Sequence, residues 1–168
     1  MIPFIVTMLT FPGVIAHELA HEIMCRLLGV RVQKVCYLRL GNPPGYVIHE
    51  SPNGAIGHIL IGTGPLLVNS IVGLLMGLLY RLPSLSGTSA GFVLLWLGIS
   101  FAAHSFPSTG DAKSMWRGLW GKGMPILGRI ISIPLVVIIY LGALASVFWA
   151  DVIYGVFIGF YLPGLILR

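Results

Sequence analysis

Three ionisable side chains interrupt the first apolar run of the chain. Within residues 2–28, His17-Glu18-Leu19-Ala20-His21 carries two imidazoles and a carboxylate. Such groups are costly in hydrocarbon and in a packed interior alike, so the segment has to turn that face toward partners. Residues four apart project from one face of a helix, about a turn apart. Both imidazoles can therefore reach a single ion, with Glu18 beside the first of them to take a proton from water. H-E-x-x-H on a helix is a zinc-binding, water-activating arrangement.

The surrounding composition sets the solvent. Of 168 residues, 57% are hydrophobic and 9% are charged, against roughly 25% charged in soluble domains. Mean hydropathy is +0.95. This points to a lipid environment and to an all-α polytopic membrane protein. The length fits a single domain over 1–168, with a core at about 1–123, additional helices at about 124–168 and no room for an added soluble domain. Residues 1–16 lack a basic n-region and read as the start of a retained span. Cys25 and Cys36 make no disulfide framework.

About five transmembrane helices are expected. The first covers 2–28, the second 58–80 and the third 90–106; Arg129 and Asp151 bracket the fourth; 152–167 is a short fifth span or an interfacial helix. Residues 107–123 are amphipathic, with Trp116 and Trp120 suited to a membrane interface. Between the first two spans, Val30, Val32, Val35 and Tyr37 alternate with polar neighbours. A Gly-Asn-Pro-Pro-Gly turn at 41–45 then leads into Tyr46-Val47-Ile48, which predicts a short membrane-associated β-hairpin.

With five spans, Arg26, Arg31, Lys34, Arg39, Lys113, Arg117, Lys122, Arg129 and Arg168 fall on one face and Arg81 alone on the other. By the positive-inside rule this places the hairpin and 107–123 in the cytoplasm and the N-terminus outside. It also accounts for the net charge of +5 without nucleic acid, for which no groove-reading motif or long basic run is present.

Catalytic zinc takes three protein ligands and leaves one position open. His17 and His21 supply two. Asp111 follows the third span on the same side of the membrane as His21, and the stretch from Pro107 could fold back to bring its carboxylate to the ion. The alternative for Asp111 is a helix cap near Ala112. Cys25, His104 and His58 remain competing ligands, and His49 reads as a hairpin surface residue. Glu22 points off the metal face toward a base. Asn69, in Gly64-Pro65-Leu66-Leu67-Val68-Asn69, is a buried amide that either orients a substrate or bonds helix to helix. Pro65 frees a backbone carbonyl. The Gly-rich second span could pack within the fold or between subunits, leaving an oligomer open.

These elements together resemble the site-2 protease family of intramembrane zinc metalloproteases. The similarity runs over about 13–112, a three-helix catalytic core. It comprises HELAH with Arg26-Leu27-Leu28-Gly29-Val30-Arg31-Val32 after it, a hairpin reading Pro44-Gly45-Tyr46-Val47, and the Gly64-Pro65 to Asn69 element. The resemblance implies hydrolysis of a peptide bond in or near the transmembrane segment of a membrane protein. It implies His17, His21 and Asp111 as ligands of one zinc ion, Glu18 as general base, and Asn69, Gly45 and Tyr46 as substrate contacts. The third motif departs from the family: His104-Ser105-Phe106-Pro107 stands where Asn-x-x-Pro is usual, and Ala112 follows Asp111 in place of Gly. That departure motivates a second reading, a non-proteolytic zinc-binding membrane protein that binds a partner helix on the same scaffold.

Overall fold

The computed structural model describes residues 4–121 and 124–167. Ile2 and Pro3, and the charges Lys122 and Arg168 used in the orientation argument, lie outside the described residues. The chain is mostly helical. Helix α1 (Phe4–Leu9) and α2 (Phe11–Leu27) lead to a two-stranded antiparallel sheet, β1 (Val32–Cys36) and β2 (Tyr46–His49). There follow α3 (Gly54–Tyr80), α4 (Ser89–Ala103), α5 (Thr109–Leu119), α6 (Ile126–Ala145) and α7 (Ala150–Ile166), the last with a π-type stretch at Phe157–Tyr161. Among these, α3 and α6 are long and apolar enough to cross a membrane by length and composition.

The hairpin forms where the alternating pattern placed it, with Cys36 opposite Tyr46, Val35 opposite Val47 and Lys34 opposite Ile48. Tyr37 anchors it to α2: its hydroxyl donates to the Glu22 carboxylate, which also pairs with Arg26. That bond pushes the Tyr37 hydroxyl up from its ordinary value, because the carboxylate favours its protonated form.

Helix α3 is the backbone of the assembly, about 40 Å long at 1.5 Å per residue for its 27 residues. Helix α2 runs antiparallel to it, with Gly64 against Met24 and Ala20. Helix α4 covers the C-terminal half of α3, where Gly73 meets Ala102 and Gly77 meets Gly98. Helix α5 continues along the other half, with Gly62 against Met115 and His58 against Gly118. So α4 and α5 form one broken rail beside α3. A second broken rail is made by α6 and α7: Gly142 of α6 meets Phe106, while Gly155 and Gly159 of α7 meet Ala103 and Gly98. The glycines expected on α3 thus serve packing within the fold.

Helix α5 is amphipathic as expected, with Trp116 and Trp120 exposed, and its apolar side is core: Ala112, Met115 and Leu119 are fully buried in a cluster with Ile59, Val136 and Ile139. Helix α6 supplies Val136 and Ile139 to that cluster, and α6 and α7 both wall the site described next.

Candidate metal centre

The ligand-bearing helices meet at mid-length of α3. His17, His21 and Asp111 bring one ligand atom each within 4.8 Å of one another. His17 Nε2 lies 3.2 Å from His21 Nε2, and His21 Nε2 lies 3.5 Å from an Asp111 carboxylate oxygen. Ligands about 2.0–2.2 Å from a tetrahedral zinc ion stand roughly 3.3–3.5 Å apart, so the spacing fits.

The outer ring nitrogens make the same point independently. His17 Nδ1 lies 2.7 Å from the His104 carbonyl and His21 Nδ1 lies 3.0 Å from the Ile61 carbonyl. A carbonyl only accepts, so both Nδ1 atoms carry the proton. In neutral rings both Nε2 atoms then present lone pairs to each other, an arrangement that calls for a cation between them. Both carbonyls are available for a reason written in the sequence. Pro65 has no N–H and strips Ile61 of its helical donor; His104 is the residue at which α4 ends, four residues after Ser100.

Asp111 is a helix cap and also stands within reach of both histidines. It stands at the third position of α5, in a reciprocal capping box with Ser108. Its Oδ2 accepts from Ser108 N at 2.8 Å and Ser108 Oγ at 2.6 Å, and the same oxygen lies 3.5 Å from His21 Nε2. Cap and ligand are compatible because the box fixes the side chain pointing back over the helix start, toward α2.

The competing ligands have other partners. His104 Nε2 pairs with Thr10 Oγ1 at 2.8 Å, and His58 Nδ1 with Ser114 Oγ at 3.1 Å. Cys25 is buried and outside the cluster. Asn69 spends both amide hydrogens on main-chain carbonyls, Gly13 at 3.2 Å and His104 at 3.0 Å. In this arrangement it offers no hydrogen to a substrate oxygen, and it holds the carbonyl that orients His17.

A cavity of about 480 Å³ opens on the cluster, walled by Glu18, Gly45, Tyr46, Pro107, Asp111 and the turn before β2. Gly45 sits so close that a Cβ there would lie 2.6 Å from Glu18 Cγ. The hairpin therefore roofs the carboxylate, and only glycine fits. Ser108 and Thr10 were not read from the sequence as parts of the site, and the carbonyl freed by Pro65 was not assigned there to His21. The Ser-x-x-Asp spacing of 108–111 was a legible signal for the first.

Against known proteins, the chain matches no family model, no curated protein and no solved structure.

Proposed function

We propose that the chain is a multi-pass membrane zinc endopeptidase that hydrolyses a peptide bond in or near the transmembrane segment of its substrate. The observation that carries this reading is the convergence of His17, His21 and Asp111 around one point, with Glu18 beside it in the same cavity. Zinc in such a site supplies Lewis acidity, polarising a carbonyl and easing deprotonation of water. Glu18 takes the proton of the attacking water and passes it to the leaving amine, a transfer worth about 10²–10⁴-fold in rate. Asp111 and the two oriented histidines hold the geometry; Gly45 and Tyr46 stand where an extended substrate strand would pass.

The membrane reading is supported by the outer faces. On α3, Leu67, Ile71 and Leu75 are exposed, and on α6 so are Ile126, Ile130 and Ile138, a surface suited to lipid. The broken rails favour four crossings: α2, α3, α4 with α5, and α6 with α7. Arg26, Arg31, Lys34, Arg39, Lys113, Arg117 and Arg129 belong to the half that holds the N-terminus of α3, and Arg81 to the other. By the positive-inside rule this distribution supports reading the former half as cytoplasmic and the N-terminus as outside.

The test is Glu18→Gln in the purified, zinc-loaded chain. Cleavage of a helical substrate should vanish while zinc stays at one per chain. Cleavage that survives the substitution would refute Glu18 as the base. Zinc retained with no cleavage even by the unaltered chain would favour the zinc-binding, non-proteolytic reading.

A further inference from the structure

Two carboxylates share one face of α2. Glu18 and Glu22 are both buried and four residues apart, about 6 Å along the helix axis. The hairpin meets both. Gly45 sits against Glu18, where a Cβ would lie 2.6 Å from Cγ. Tyr37 donates its hydroxyl to the Glu22 carboxylate. The strand register explains the match. Cys36 stands opposite Tyr46, so one step beyond the paired strands Tyr37 and Gly45 face each other. Residues directly opposite are about 4.5–5.5 Å apart and turn toward the same face of the sheet, close to the spacing of the two glutamates. The head of the hairpin therefore crosses α2 with one contact over the candidate base and one over the carboxylate a turn further on.

The head is braced as one unit. Arg39 N donates to the Pro44 carbonyl at 2.7 Å and Arg39 Nε to the Pro43 carbonyl at 2.8 Å, and the guanidinium lies 5.0 Å from the centre of the Tyr46 ring. These contacts tie the strand that leads into Tyr37 to the one that leaves Gly45. At its base the hairpin is held through main chain, Val30 N to the Cys25 carbonyl at 2.8 Å and Glu50 N to the Arg31 carbonyl at 2.9 Å. A two-stranded sheet is marginal by itself, and Leu40 and Ile48 are exposed. The base can therefore serve as a pivot, and the tyrosine hydroxyl fixes the head against α2. Arg26 meets the same Glu22 carboxylate, but its side chain is 74% exposed, and ion pairs of that kind contribute little. A hydroxyl bonded to a buried, charged acceptor is the stronger tie.

We infer that Tyr37 is a positioning residue for Glu18: its bond to Glu22 holds Gly45 down on the Glu18 side chain and so aims that carboxylate at the water it deprotonates. This rests on the endopeptidase reading above. Without the bond the head lifts about its base, Gly45 leaves Glu18, and the carboxylate gains rotamers that point away from the ligand cluster.

The position of the roof is read without turnover, in the full zinc-stripped chain in micelles. Glu18→Cys, in a background of Cys25→Ala and Cys36→Ala, places one thiol under Gly45. Its rate of reaction with a bulky maleimide follows the fraction of chains in which the roof is open. We expect Tyr37→Phe to raise that rate about tenfold, the effect of losing one hydrogen bond to a charged acceptor, and Arg26→Met to leave it unchanged. With Glu18 and the cysteines restored and zinc loaded, Tyr37→Phe should lower kcat about tenfold at unchanged KM and one zinc per chain. Labelling of Tyr37→Phe at the parent rate would overturn the proposal. So would an equal acceleration by Arg26→Met, which would give the anchoring to the ion pair, or a kcat left intact in a chain that cleaves. A rise in KM alone would make Tyr37 a substrate contact instead. Faster labelling in a chain that cleaves no helical substrate in any form would uphold the placement of the roof by Tyr37 and sink the peptidase reading.

Discussion

Replacing Pro65 by alanine should make the protein more stable and its metal binding weaker, from one cause. Pro65 is fully buried inside α3. It leaves the Ile61 carbonyl free for His21 Nδ1 at 3.0 Å. Alanine restores the missing N–H, closes the helical bond and competes with the imidazole for the same oxygen. Proline in a helix interior costs about 3 kcal/mol relative to alanine. Against that stand roughly 1–2 kcal/mol for the void left by the ring carbons, so the net gain is about 1–2 kcal/mol. A group that orients a metal-bound histidine is worth about 10–100-fold in affinity. A carbonyl has two lone pairs and can accept twice, so the loss should fall near the lower end, about tenfold. Thermal unfolding of the zinc-stripped chain measures the first effect and competition with a chelator the second. Pro134→Ala, in α6, is the control: it also repairs a helix, and it should leave zinc affinity unchanged. A Pro65→Ala chain that holds zinc as tightly as the parent would refute the role of the Ile61 carbonyl.

Asp111→Asn should weaken zinc by more than the 10–100-fold of an orienting group, whereas Ser108→Ala should cost about 1 kcal/mol of stability and only about tenfold in zinc; equal zinc affinity in both variants and the parent, read by metal analysis, would leave Asp111 a cap alone. Gly45→Ala drives a Cβ into Glu18 and should lower kcat about 100-fold at unchanged zinc content, and wild-type turnover in that variant would show that the hairpin does not seat the base. Met115→Ala should destabilise the protein by about 2–5 kcal/mol; a loss under about 1 kcal/mol in a denaturation series would show that α5 is not part of the core.

The parts legible in the sequence were those written in local spacing. The i,i+4 histidines, the alternating strand with its Gly-Asn-Pro-Pro-Gly turn, and the carbonyl released by Pro65 each follow from a few neighbouring residues. The course of α5 was not legible. Residues 107–123 read as amphipathic, with Trp116 and Trp120 suited to an interface, and only the long-range fit of Met115 against Gly62 shows that the apolar side is core. Asn69 was ambiguous for the same reason: a buried amide names a need for partners, and the partners came from α2 and the end of α4. Asp151 looked like the end of a span because nothing in its neighbours foretold the break at Trp149.

The interruptions of the helices explain why the site lies where it does. A continuous helix consumes its own carbonyls and offers nothing to a histidine that must be held in one tautomer. Here α3 is interrupted chemically at Pro65, the α4–α5 rail stops between Ala103 and Thr109, and the α6–α7 rail stops between Ala145 and Ala150. All three breaks fall at nearly the same height beside His17 and His21. The first two supply the acceptors for the two rings, from Ile61 and His104. The second also starts a new helix whose capping box carries Asp111, and the third lets Asp151 and Ser146 into the cavity wall. Breaks in helices at that depth are tolerated where the freed polar groups find partners or line a cavity. The first two sets of freed groups are bonded into the site itself, so repairing either of those breaks should disturb the metal centre before it disturbs the fold.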